Sequence, residues 1–302
     1  MNNPMKRIGI VAAAAALVIS ACSASATPTP TPASAPPSSS GGGAGPTCVA
    51  GSITTSGSTA LQPLVDAAGK QYAAACSGST ISVQGGGSGT GLTQVVQGAV
   101  QIGDSDVTAD SKLTADQAAQ LVDHVVARQG WLMVVNKSVT GVTNLTTQQA
   151  TDIWTGKTTN WKDVGGPDMP IVLIFRPASS GTRATFKKIV LNNATEATGG
   201  TTLTEDSNGA VTAAVKTTPG STSVIGFVYY DQAKGDITGL QLDGVDASVD
   251  NMKNGSYKLQ AFGHMYTKGD ATGLTKAFLD YMLSPDVQNT LIPSLFYAPA
   301  GS

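Results

Sequence analysis

Three stretches of small residues share one design. Gly57-Ser58-Thr59-Ala60, the glycine run 85–91 and Ser179-Ser180-Gly181-Thr182 each follow an apolar, strand-like segment and precede a helical pattern. At such a junction the first helical turn has N–H groups without a partner in the helix. The positive end of the helix dipole lies there too, and glycine lets a ligand approach the backbone. The chemistry on offer is the binding of an anion by neutral donors. Ser and Thr are also the commonest helix caps, and any one of these turns alone reads as plain capping. Three of them at the carboxyl ends of strands, where open α/β sheets bind ligands, point to a site.

Two charged residues join them. Arg176 ends the apolar segment 171–175 directly before the third turn, where its guanidinium can grip an oxyanion with two parallel hydrogen bonds. Asp106 closes Gly103-Asp104-Ser105-Asp106, behind the strand-like segment 100–102. A carboxylate repels an anion unless the anion carries a proton. Asp106 can then accept a hydrogen bond that a fully ionised tetrahedral anion has no means to donate. Phosphate carries that proton at neutral pH, and sulfate does not. The other reading, that Asp104 or Asp106 caps the next turn, stays open from local sequence alone.

Other chemistries lack residues. The two histidines, His124 and His264, lie far apart, and the three cysteines form no CxxC, so no zinc or haem ligand set is in view. His264 sits in a strand-like segment and reads as a packed core residue. Gly156-Lys157-Thr158 resembles the end of a Walker A loop, but Thr151 stands where its first glycine belongs. Neither GxGxxG nor GxSxG occurs, and a serine nucleophile has no base nearby.

The elements that must position these residues alternate. Segments 49–54, 80–84 and 100–102 read as strands with helices 60–75 and 90–97 between them, the β-α-β-α-β pattern of a mostly parallel sheet. Strand 124–135, helix 148–154, strand 171–176, helices 182–191 and 210–217, strands 223–229 and 260–267 and helix 273–283 follow.

Composition narrows the class further. Only 13% of the 302 residues are charged, against about 25% in an average soluble protein. Glycine is frequent at 35 residues, and a net charge of -2 offers no basic field for a nucleic acid. Residues 1–21 read as an export signal, with Lys6 and Arg7 ahead of an apolar run too short to span a bilayer. The run ends in Ile19-Ser20-Ala21-Cys22, like a bacterial lipobox whose cysteine is lipidated, with palmitate among the acyl chains expected there. The other reading is an ordinary signal peptide followed by a chance cysteine. Residues 22–47 hold six prolines and no charge, so a disordered tether is expected, up to about 75 Å long if extended. With Cys22 on lipid, Cys48 and Cys76 remain as an even pair in an oxidising setting and are expected to be bridged; two free thiols are the alternative.

Taken together, these residues resemble the phosphate-binding proteins of bacterial ABC transporters. The matching pieces are Gly57-Ser58-Thr59-Ala60-Leu61, the run 85–91, Ile102-Gly103-Asp104-Ser105-Asp106, and Arg176 followed by Ser180-Gly181-Thr182-Arg183. Further echoes are Trp154-Thr155-Gly156, Trp161-Lys162-Asp163, Ile225-Gly226-Phe227-Val228 and Tyr266-Thr267-Lys268-Gly269, so the match spans nearly all of 48–302 in order. The resemblance implies a two-lobed, periplasmic-binding-protein-like α/β fold of type II, each lobe a mostly parallel sheet flanked by helices. Lobe I would comprise 48–140 and 258–302, and lobe II 141–257. Phosphate would lie between the lobes: Ser58, Thr59 and Ala60 as donors of the first helix, Ser88 with its hydroxyl and N–H, and Asp106 as acceptor of the phosphate proton. Arg176 would supply the positive charge, and Ser180, Gly181 and Thr182 the third set of donors.

The same resemblance implies a monomeric binding protein, not an enzyme, that needs no cofactor or metal. It would be tethered by lipid to the outer face of the cytoplasmic membrane, or periplasmic, and hand phosphate to a permease coupled to an ATPase. Two departures stand out. Many relatives carry an acid and a glycine where this chain has Pro177, Ala178 and Ser179, which makes Arg183 a candidate to share the task of Arg176. Ala60 replaces a bulkier residue, without consequence if the contact is a backbone N–H. A receptor for sulfate or molybdate is the alternative within the binding class, and Asp106 speaks against it. A phosphate-ester hydrolase is the alternative in another class, and the missing base and metal cluster speak against that.

Overall fold

The computed structural model describes residues 45–199 and 202–302; the signal segment, Cys22 and most of the tether lie outside the described residues. The chain opens with β1 (Gly51–Gly57), α1 (Gln62–Ala75), β2 (Ser79–Gln84), α2 (Ser88–Gln97) and β3 (Ile102–Ser105). Pro63 lies in the first turn of α1, where an absent N–H costs nothing, and α2 ends at Gly98 in the left-handed conformation. Short α3 (Ala115–Ala118) leads into the long β4 (Leu121–Asn136). Next come β5 (Asn144–Leu145), α4 (Thr147–Trp154), β6 (Val172–Phe175), α5 (Gly181–Ile189), β7 (Thr202–Thr204), α6 (Asn208–Thr217) and β8 (Ser221–Gly226). After α7 (Phe227–Ala233), β9 (Ile237–Gly239), β10 (Gln241–Leu242) and α8 (Val249–Lys253), the chain ends through β11 (Gln260–Lys268), α9 (Gly273–Met282), α10 (Ile292–Ser294) and β12 (Ala298–Pro299).

The main sheet runs in the order β2-β1-β3-β11-β4-β8-β6-β7. β1 pairs in parallel with β2 and β3, and β6 does so with β7 and β8. The two strands in the middle are antiparallel to their neighbours. β4 is shared: from Leu121 to Gly130 it pairs with β11, and from Trp131 to Val135 with β8. Two apolar cores result, one around Leu64, Val65, Tyr72, Ile102 and Phe278, the other around Trp131, Trp161, Ile174, Phe186 and Ile225. This is the two-lobed α/β arrangement expected, with each lobe's sheet parallel outside the crossing strands. Cys48 and Cys76 are bridged, with Cα atoms 5.1 Å apart, tying the approach to β1 to the end of α1.

Several boundaries differ from expectation. The segment 223–229 is not one strand: β8 stops at Gly226, and Phe227 starts α7. A short apolar run carries no period that separates strand from helix. β3 lies two residues beyond the expected start and runs through Ser105, so Asp104 is in the strand and Asp106 just past it. Gly and Asp are poor strand formers, yet pairing with β1 on one side and β11 on the other overrides that preference. α6 begins two residues earlier than its apolar pattern because the Ser207 hydroxyl caps it through the Ala210 N–H at 3.1 Å.

Candidate functional site

The three small-residue turns converge on Asp106. Its Oδ1 accepts hydrogen bonds from the Ser58 hydroxyl and, at 3.0 Å, from Gln129 Nε2 on β4. Its Oδ2 accepts from the Thr182 hydroxyl of α5 at 3.2 Å, and its N–H donates to Ser88 Oγ at 3.0 Å. Residues from the first, second and third turns therefore meet around one carboxylate. Burial holds the Asp106 carboxyl above the usual carboxylate range, and the Ser58 and Thr182 hydrogen bonds, the charge of Arg176 and the Gln129 hydrogen bond offset that only in part. With three donors on its oxygens, Asp106 is arranged as an acceptor. Neither Asp106 nor Asp104 caps the short turn that follows, whose N-cap position is Thr108.

Arg176 comes to the same place from β6. It is 4% exposed, and its Nη2 donates to Thr59 Oγ1 at 3.2 Å and to the Asp206 carbonyl at 2.9 Å. Its Nε and Nη1 are buried without a partner among the described residues. These N–H groups lie on different edges of the guanidinium, so each offers an anion a single charge-assisted hydrogen bond, while the Nη2 that would complete a parallel fork is held by Thr59 and the Asp206 carbonyl. Burial lowers the Arg176 pKa and Asp106 opposes the shift; the group stays charged.

The hydroxyls are oriented as well. Thr59 Oγ1 accepts from Arg176 and from both the N–H and Nδ2 of Asn208, which leaves its hydrogen to point outward. Ser88 Oγ, accepting from Asp106, is in the same position. Ser180 instead caps α5, as sequence alone suggested, and Ser58 folds the turn ahead of α1, whose own N-cap, Leu61, makes no side-chain bond. Ser58 Oγ accepts the N–H groups of Ala60 (3.1 Å) and Leu61 (3.0 Å), and Ser180 Oγ that of Arg183 (3.2 Å). Gly181 marks the closest approach: a Cβ there would strike Ser88 Oγ and lie 2.7 Å from Asp106 Cβ.

Arg183 does not point its fork at this site. Its Nε and Nη2 embrace the buried Glu196, at 3.0 and 2.7 Å from Oε2, and its Nη1 donates to the Arg176 carbonyl at 2.6 Å. Glu196 supplies an acid near this arginine that the departing 177–179 segment lacks. His264 is buried on β11 with Nδ1 3.0 Å from the Asp123 carboxylate. Among the described residues no group of three or more His, Cys, Asp or Glu could hold a metal ion, and no helix is long and apolar enough to cross a membrane.

Sequence reasoning missed Gln129, Asn208 and Tyr229, whose hydroxyl donates to the Thr59 carbonyl at 2.8 Å. Gln129 did leave a signal, as one of the few polar residues, with His124 and Arg128, in the strand-like segment 124–135. Asn208 left a fainter one, next to the Ser207 cap. Tyr229 left none, because it lay in a segment taken for strand.

Comparison with known proteins bears on this geometry. The family profile described as PBP superfamily domain matches residues 42–286. Phosphate-binding protein PstS of Bacillus subtilis (strain 168) is 46% identical over 255 residues, which cover 84% of this chain and 83% of that protein. Among solved structures, a substrate-binding protein from Clostridium perfringens, assigned to phosphate ABC transport and solved with bound phosphate, superposes with a TM-score of 0.74 at 28% identity. That match covers 82% of this chain and 99% of the other. An ABC-type phosphate transport receptor from Vibrio cholerae gives 0.64 at 28% identity over the same shares.

Proposed function

The chain belongs to the PBP superfamily, in the family of the PstS phosphate-binding proteins, and on that premise we propose that it binds one inorganic phosphate between its lobes and delivers it to an ABC importer. It is a binding protein of the extracytoplasmic transport class and not an enzyme. The observation that carries the reading is the meeting of Asp106 and Arg176, 70 positions apart in the chain, in one buried site. Arg176 meets the anion's charge with Nε and Nη1. Thr59 and Ser88 donate hydroxyl hydrogens, and the first turns of α1 and α5, with Ser58, Ala60, Ser180, Gly181 and Thr182, surround the remaining oxygens. Asp106 accepts a hydrogen bond from the proton that phosphate retains, and so rejects an anion that has none.

The finer assignments rest on sequence and topology. The exchange of β4 partners between Gly130 and Trp131, and the start of β11 at Gln260, support a division into 48–140 with 258–302 and 141–257, each boundary within about ten residues. The lobes close by hinge motion at these crossings. The lipobox-like sequence at Cys22 supports a monomer tethered to the outer face of the cytoplasmic membrane, or a periplasmic one, serving a permease and its ATPase.

Calorimetric titration of wild type and D106N with phosphate and with sulfate tests the reading. Wild type is expected to bind phosphate and reject sulfate. In D106N the preference narrows by about tenfold or more, the scale of one charged hydrogen bond and one unpaired acceptor. A wild type that ignores phosphate overturns the function; an unchanged preference in D106N overturns the role of Asp106.

A further inference from the structure

Asp104 is buried with no partner. It is 1% exposed on β3, and neither of its carboxyl oxygens is hydrogen-bonded among the described residues, nor is the Thr55 hydroxyl. An ionised carboxylate in that position is costly, whereas a neutral acid is tolerated. The elements packed against β3 bring no cation to it: β1 and α2 contain no charged residue. On β11, His264 and Tyr266 are bound to Asp123, and Lys268 donates to the Val96 carbonyl. The charged group that acts on Asp104 is Asp106, of the same sign and two residues along the chain. The Asp104 backbone carbonyl accepts the Ser58 N–H at 2.8 Å, so the residue is fastened to the first of the three turns.

We propose that Asp104 is a proton-bearing acid of the anion site, a residue that must stay neutral for the anion to be held and that thereby sets the alkaline limit of binding. The inference rests on the phosphate reading above. Burial first, then the charge of Asp106, pushes the Asp104 carboxyl up to about 8; the nearby Thr55 hydroxyl offsets part of this without reaching full hydrogen-bond geometry. Asp106 has donors on both oxygens and the charge of Arg176 in its favour; Asp104 has neither. The two acids therefore divide the work: Asp106 accepts, and Asp104 stays uncharged. A bound anion makes a charge on Asp104 costlier still. Binding must then draw a proton onto Asp104 wherever the free protein has lost it.

The test is calorimetry of phosphate binding across pH, in buffers of different ionisation enthalpy, on wild type, D104N and D104S. Above pH 8 inorganic phosphate has completed its own second ionisation. Wild type is expected to take up as much as one proton per phosphate there, and to lose about tenfold in affinity over the next 1.5 pH units or so, as a second like charge develops near the anion. The variants are expected to take up no proton and to give a flat profile over that range. Their second chemistry guards against one of them failing to fold. Proton uptake that persists in the variants belongs to the anion or to Asp106, the other buried acid of the site, and overturns the proposal, as do parallel pH profiles or a wild type that takes up none. Absence of phosphate binding at neutral pH would instead overturn the functional reading on which the proposal rests.

Discussion

Arg176 and Arg183 are the two arginines of one segment, and their side chains are used differently. Arg176 keeps Nε and Nη1 unpaired in a buried site, while Arg183 spends its fork on Glu196 and the Arg176 carbonyl. Lysine offers one compact ammonium and cannot serve Thr59, the Asp206 carbonyl and the anion together. R176K is therefore expected to weaken phosphate binding by about a hundredfold, some 2–3 kcal/mol. R183K is expected to lower the melting temperature while keeping phosphate affinity within about threefold, since the lost bidentate contact is to Glu196. Calorimetry and thermal melting of the two variants side by side measure this. Equal losses of affinity would return Arg183 to a shared role.

At the scale of elements, the approach of α5 to α2 and β3 decides whether the site closes. The glycine at the start of α5 leaves just the space that Ser88 Oγ and the Asp106 side chain fill. In G181A the added methyl holds the two lobes apart at their meeting point. Phosphate affinity is expected to fall by about tenfold or more, with a ligand-free melting temperature within a few degrees of wild type, because Gly181 belongs to neither apolar core. Small-angle scattering with saturating phosphate would then report a less compact particle than wild type. Compact scattering with undiminished affinity would show that the contact yields.

The strand boundaries illustrate what the sequence could not carry. Segment 100–102 shows an apolar strand signal, but β3 starts two residues later, at Ile102, and runs on through Gly103-Asp104-Ser105, because two neighbouring strands supply the hydrogen bonds. The helix start at Phe227 was hidden in the same way, since four apolar residues fit either period.

At the scale of the whole molecule, scarce charge makes each buried ionisable group count in stability. The folded-state value of Asp104 is raised from 3.8 to about 8. Below the lower value both folded and unfolded chains hold the proton, and the residue costs nothing. Between the two values the unfolded chain releases its proton while the folded protein keeps it, so stability falls as pH rises; above about 8 the cost is constant. D104N, without ligand, is expected to melt higher than wild type, by a margin that is largest from about pH 8 upward and vanishes near pH 4. A margin independent of pH would mean that Asp104 is not the group that titrates.

The sequence by itself determined the class of this protein and brought out most of the residues on which the proposed site rests. Turns of Gly, Ser and Thr before helices specify donors through local backbone geometry. Arg176 and Asp106, at the ends of strand-like segments in a chain with few charges, mark where an anion and its proton would be met. These signals are local, and local signals survive in a one-dimensional string. Only the tertiary structure decided the rest. It decided that Arg183 is committed to Glu196, that Gln129 and Thr182 reach Asp106 from other elements, and that Asp104 is sealed in without a partner. Each of those facts depends on which distant segments the folded sheet brings together and which polar groups it leaves away from water, and neither is written in the spacing of residues along the chain.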